Sequence, residues 1–128
     1  MRVLAIDHGA ARCGAALSDP TGTIVRPLDT VDPDPGAVAA LAREHEAELI
    51  LVGLPVSLDG AEGEQAAAAR AFAGEVERAA EVPVETWDER LTTKMAAQSR
   101  RAGSRAAEDS LAAAHLLDSY LLASEARR

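Results

Sequence analysis

Near the middle of the chain, Glu48-Leu49-Ile50-Leu51-Val52-Gly53 forms a nearly continuous apolar run that Gly53-Leu54-Pro55 brings to a stop. A run this short fits a strand, and no polar residue alternates from Leu49 to Val52, so both of its faces must be covered. It predicts the centre of a parallel sheet with helices packed on either side.

The flanking segments supply the rest of that sheet. Arg2 to Asp7, Cys13 to Ser18 and Ile24 to Val31 read as strands, separated by a turn at Gly9 and another at Pro20-Thr21-Gly22-Thr23. Links of that length imply an antiparallel meander. Val38, Leu41, Ala42 and His45 recur at helical spacing and predict a helix over Pro35 to Glu46, with Asp34 as its cap and Pro35 at its first position. After a loop from Ser57 to Gly63, an alanine-rich helix runs to about Ala80 and a strand follows from Val82 to Trp87, an order that calls for a right-handed crossover. Helices over Thr92 to Arg101 and Ala106 to Ala123, parted by Gly103 and Ser104, complete the pattern. All 128 residues are expected to form one domain, being too few for two with a cleft between them. With one Trp, one Tyr and one Phe, core density must come from Ala, Val, Leu and Ile packed closely.

Several classes are excluded. No apolar run approaches the roughly 18 residues of a membrane span. The segment Met1 to Asp7 enters a strand directly instead of forming a signal peptide, so the expected compartment is the cytoplasm. Cys13 stands alone, which rules out an internal disulfide, and its apolar neighbours predict a buried thiol without chemistry. The formal charge of −8 argues at first against nucleic acid. Its distribution argues the other way: fifteen of the twenty-one acids lie between Asp29 and Glu89, whereas Arg90 to Ala107 carries five cations and no acid. The plain alternative for that stretch is a solvated helix face.

Four carboxylates, Asp7, Asp88, Glu89 and Asp109, sit where predicted strands end or a helix begins, the places where an α/β domain brings distant residues together. Asp7 shares strand parity with Val3 and Ala5. Asp88 and Glu89 alternate in direction, so only one can share Asp7's face. Glu89 is favoured as ligand with Asp88 as a second ligand or orienting group, and the swapped assignment stays open. Asp109 is in register with Ala112, Ala113, Leu116 and Tyr120, which sets an acid on the apolar stripe of the last helix. Each acid also has a local explanation: an Asp-x-Gly turn, a cap beside Thr92, a first-turn acid facing the helix dipole.

As a set, these acids match phosphodiester hydrolysis. Asp7, Glu89 and Asp109 would hold two Mg²⁺ or Mn²⁺ ions about 4 Å apart, which activate a water and stabilise the leaving oxygen. Hard oxygen donors suffice, and no His/Cys zinc pattern is present. Arg12, Arg90, Lys94, Arg100, Arg101 and Arg105 are the candidates to receive flanking phosphates. The Gly60 and Gly63 loop reads equally as a lid, a phosphate-accepting helix start or an ordinary surface loop. His8, His45, His115 and Trp87 read as turn, flank or packing residues.

Taken in order, Ile6-Asp7-His8-Gly9, Arg12-Cys13-Gly14-Ala15-Ala16-Leu17-Ser18-Asp19, Val52-Gly53-Leu54-Pro55, Asp88-Glu89-Arg90-Leu91-Thr92-Thr93 and Asp109-Ser110-Leu111-Ala112-Ala113 resemble the YqgF/RuvX family over essentially the whole chain. The resemblance implies an α/β ribonuclease H-like fold: a five-stranded mixed sheet, three antiparallel strands then two parallel, with helices on both faces. It implies a nuclease that resolves Holliday junctions or processes the 5′ end of pre-16S rRNA, with precursor rRNA or branched DNA as partner, acting as a monomer or homodimer. Ala11 and Ala107 replace basic residues often found in the family, which bears on substrate affinity. Two other readings stand beside it. One is a nucleic-acid-binding module without catalysis. The other is actin-like nucleotide binding through Asp7-His8-Gly9, which would need a second domain to enclose ATP.

Overall fold

The computed structural model describes residues 1–55, 63–89 and 105–126, and in the last helix the side chains from Ser110 to Ser124. The elements are β1 (Val3–Asp7), β2 (Cys13–Ser18), β3 (Val25–Val31), α1 (Pro35–Glu44), β4 (Leu49–Leu54), α2 (Glu64–Ala79), β5 (Val84–Asp88) and α3 (Arg105–Ala126). The helix expected over Thr92 to Arg101 lies outside the described residues, as do Arg90, Lys94, Arg100, Arg101 and Gly60.

The strands form one sheet in the order β3-β2-β1-β4-β5. β2 runs antiparallel to β1 and to β3, while β4 is parallel to both β1 and β5. This is the five-stranded mixed sheet expected. All six residues of β4 are buried, as a continuous apolar run requires of a central strand.

The pleat sorts the core into two layers. Leu4, Ile6, Ile50 and Val52 face one side, where α1 and α2 bring Val38, Ala42, Phe72 and Val76. Val3, Ala5, Leu49 and Leu51 face the other, beneath Ala113, Leu116 and Leu117 of α3. Helices therefore cover both faces. Where a helix buries Ala66, Ala69 and Ala73, its axis can approach the sheet closely, which offsets the shortage of aromatic residues.

Three local details depart from expectation. α1 ends two residues early, because Glu46 turns left-handed (φ 56°) and the amides of Glu46 and Ala47 bond back to the carbonyls of Arg43 and Ala42. That pair of bonds is a Schellman closure with Glu where Gly is usual, and it turns the chain directly into β4. β5 begins two residues late, because Pro83 has no amide to donate, although its carbonyl accepts from Ile50 N at 3.0 Å. In α3 the buried face runs through Ser110, Ala113, Leu116 and Leu117, whereas Ala112 is exposed, so the inward stripe is rotated from the one expected. Among the described residues, no helix is long and apolar enough to cross a membrane.

Candidate active site at the carboxyl ends of the parallel strands

Because β1, β4 and β5 are parallel, their carboxyl ends lie along one edge of the sheet, the place where open α/β sheets bind ligands. Asp7 closes β1, Asp88 closes β5, and Glu89 follows at once. Alternation sets Asp7 on the side of Val3 and Ala5, facing α3. Glu85 and Trp87 of β5 share that side. Trp87 Nε1 donates to Ser119 Oγ at 3.2 Å, the Trp87 ring meets Tyr120 edge-on at 5.3 Å, and Tyr120 OH donates to Glu85 at 3.2 Å. These contacts fasten β5 to α3 just before the chain delivers Glu89.

Glu89 hydrogen-bonds to Asp7. Between them lies Gly53: the register pairs Ile6 with Val52 and Gly53 with Trp87, so Gly53 is the β4 residue flanked by Asp7 and the end of β5. A Cβ at Gly53 would stand 3.1 Å from Glu89 Cγ, 3.3 Å from Glu89 Cδ and 3.1 Å from Leu116 Cδ2. The Glu89 side chain thus lies over bare backbone, with Leu116 on its other flank.

Two carboxyls in contact cannot both ionise freely. Burial raises the pKa of Asp7, partly opposed by the hydrogen bond from Glu89 and the nearby His8. Glu89 is pushed up to about 8, first by burial, then by its hydrogen bond to Asp7 and by the charges of Asp7 and Asp88. Burial and mutual contact thus make the pair hold a proton to higher pH than either acid would alone, Glu89 being the more strongly raised. Asp88, register partner of Leu54, belongs to the opposite pleat and acts on Glu89 through its charge. Of the two adjacent acids, Glu89 is therefore the one that meets Asp7.

The turn after β1 is tight. A Cβ at Gly9 would meet the Arg12 carbonyl at 2.5 Å, so only glycine fits, and Arg12 is held exposed beside it. Cys13 is buried as expected, and burial raises its thiol pKa despite a hydrogen bond from the Gly9 backbone. His8 faces the α2 side and packs on Phe72 with ring centroids 4.6 Å apart.

Asp109 and Arg105 fall within α3, and their side chains lie outside the described residues. Ser110, one position after Asp109, is fully buried. Its Oγ accepts from Ala15 N at 3.2 Å and donates to the Leu28 carbonyl at 2.6 Å. Ala15 and Leu28 face each other beside a register shift in the β2–β3 pairing, so the hydroxyl bridges the two strands at a bulge. Ala15 also pairs with Ile6, next to the Asp7 and Gly14 pair, which brings the backbone of this α3 turn to the end of β1. Among the described residues, no three His, Cys, Asp or Glu side chains cluster to hold a metal ion; Asp7 and Glu89 form a pair. Sequence reasoning quoted Gly53 and Ser110 within motif runs without giving either a role, and it took Gly53 to end the central strand, which instead continues through it to Leu54. An isolated glycine inside a strand, a mark of close approach, was the available signal for the first.

A model of the RuvX family, described as Holliday junction resolvase, matches residues 1–123. The chain belongs to this family. Its relatives include a protein of Thermobifida fusca (51% identical over 104 residues, 78% of this chain and 65% of that protein) and one of Syntrophus aciditrophicus (41% over 132 residues, 94% and 88%). Both carry the name "Putative pre-16S rRNA nuclease". Among solved structures, Thermus thermophilus RuvC in complex with a Holliday junction substrate superposes with a TM-score of 0.62 at 18% identity, covering 96% of each chain. That likeness shows a common fold, the ribonuclease H-like architecture expected from the sequence.

Proposed function

We propose that this RuvX-family chain is a metal-dependent phosphodiester hydrolase acting on precursor 16S rRNA, with Asp7 and Glu89, joined by Asp109, holding Mg²⁺ or Mn²⁺. The contact between the Asp7 and Glu89 carboxyls carries the reading. Two carboxyls in contact at a sheet edge are the hard oxygen donors that Mg²⁺ or Mn²⁺ takes, and a cation held by them would offset the charge that binding requires both acids to carry.

A bound cation would supply an activated water and charge neutralisation at the scissile phosphate. The chain's own residues do the rest. Asp7 and Glu89 give up their shared proton and present ionised oxygens at fixed positions. Asp88 keeps further negative charge beside Glu89. The exposed Arg12 receives a flanking phosphate next to the compact Gly9 turn. Arg90, Lys94, Arg100, Arg101 and Arg105 extend that positioning along the strand of substrate, reading backbone rather than bases. The names of the relatives favour RNA, and a precursor-rRNA substrate would set the work in the cytoplasm, where ribosomes are assembled.

The test offers purified protein labelled precursor rRNA, single-stranded RNA and a four-way DNA junction, each with Mn²⁺ or with chelator, beside the Asp7→Asn variant. Metal-dependent cleavage of precursor rRNA, lost in the variant, is expected. Cleavage confined to the junction would move the substrate to branched DNA, and binding that never leads to cleavage would make the chain a scaffold.

A further inference from the structure

The described part of the site depends on an absence as much as on its acids. Gly53 sits inside the buried β4, where a side chain would ordinarily be packed. Its φ lies outside the left-handed region, so conformational freedom is not the reason for glycine there. What the position lacks is volume. The missing Cβ would fall 3.1 Å from both Glu89 Cγ and Leu116 Cδ2, tighter than ordinary van der Waals contact. Leu116 is fixed in the α3 layer of the core, 1% exposed, whereas Glu89 follows the end of an edge strand and is only half-buried. If a methyl filled the notch, the more loosely held Glu89 would give way.

From this we infer that Gly53 is a positioning residue, the slot through which Glu89 crosses from β5 to Asp7 on β1. The inference rests on the reading of Asp7 and Glu89 as ion-holding acids and deepens it. Gly53 has no side chain to offer a substrate or an ion; it sets where the Glu89 oxygens stand. The backbone accepts alanine, so Gly53→Ala keeps the fold and both acids while moving them apart.

The experiment compares the parent with Gly53→Ala, Glu89→Gln, the double variant carrying both, and Gly53→Ala combined with Leu116→Val. Each is measured for melting temperature without metal, Mn²⁺ affinity by calorimetry, and kcat and KM on precursor rRNA. Gly53→Ala is expected to weaken Mn²⁺ binding about tenfold and to lower kcat with KM unchanged, as loss of an orienting contact does. Adding it to Glu89→Gln should cost nothing further, since it acts through that carboxylate. Leu116→Val removes the crowding on the core side, so any lost melting temperature should return while Mn²⁺ affinity stays weak. The inference is overturned if Gly53→Ala binds Mn²⁺ as the parent does, if its effect adds fully to that of Glu89→Gln, or if Leu116→Val restores affinity together with stability. Should Glu89→Gln itself leave Mn²⁺ affinity and kcat untouched, the ion-holding reading fails at its source and takes this inference with it.

Discussion

Glu89 meets Asp7 as a hydrogen-bonding partner, and burial with mutual repulsion pushes Glu89 up to about 8. In the unfolded chain both acids titrate near their ordinary values, 4.5 and 3.8. Folding thus raises both, and the native state holds more protons than the unfolded one between those values and the native pKa of Glu89. Stability linked to the pair is fully present below about pH 4 and is lost as pH rises toward 8. Metal-free protein should therefore melt at progressively lower temperature from about pH 5 to pH 8, and Mn²⁺ should flatten that decline. Thermal melts at stepped pH with and without Mn²⁺ check this, and parallel curves would count against an ion at the pair.

Asp7→Asn separates stability from activity. Removing one charge relieves the repulsion, so the metal-free variant should melt at or above the parent's temperature at pH 8. It should also lose the stabilisation by Mn²⁺ and at least about a hundredfold in cleavage rate. A variant that melts lower without metal yet cleaves normally would reverse both expectations.

Ser110→Ala should destabilise the fold by about 1–3 kcal/mol, because it leaves the Ala15 amide and the Leu28 carbonyl buried without their bridging partner. Chemical denaturation measures the loss, and an unchanged midpoint would show that water or a relaxed bulge replaces the hydroxyl. Hydrogen exchange at Ala15 should accelerate in the variant.

Arg12→Ala probes phosphate contact at the Gly9 turn. Nucleic-acid affinity should fall, and the slope of log affinity against log salt should shrink by about one, with Mn²⁺ affinity retained. A salt slope identical to the parent's would place the substrate elsewhere.

The elements themselves are legible in the order of residues. Leu49 to Val52 could be covered only by two layers, the Gly9 and Pro20-Thr21-Gly22-Thr23 turns forced a meander, and Asp34 with Pro35 marked a helix start that the Asp34 carboxylate does cap, accepting from Ala37 N at 3.0 Å. Alternation also showed that one of Asp88 and Glu89 must share the face of Asp7. Such features follow from local sterics and period, which each segment carries in its own residues.

Which acid crosses to Asp7, and through what, was decided only in three dimensions. Strand parity is a two-way choice until neighbouring strands settle the register, and Gly53 acquires its role only because β1 and β5 flank β4 there. The rotation of α3 was likewise out of reach of its periodicity. Ala112 and Ala113 are chemically alike, and the helix turns Ala113 inward because Ser110 anchors in a bulge between two distant strands. Sequence determines what each segment can become, whereas contacts between remote segments select the face it shows, because packing energy depends on neighbours that no single segment contains.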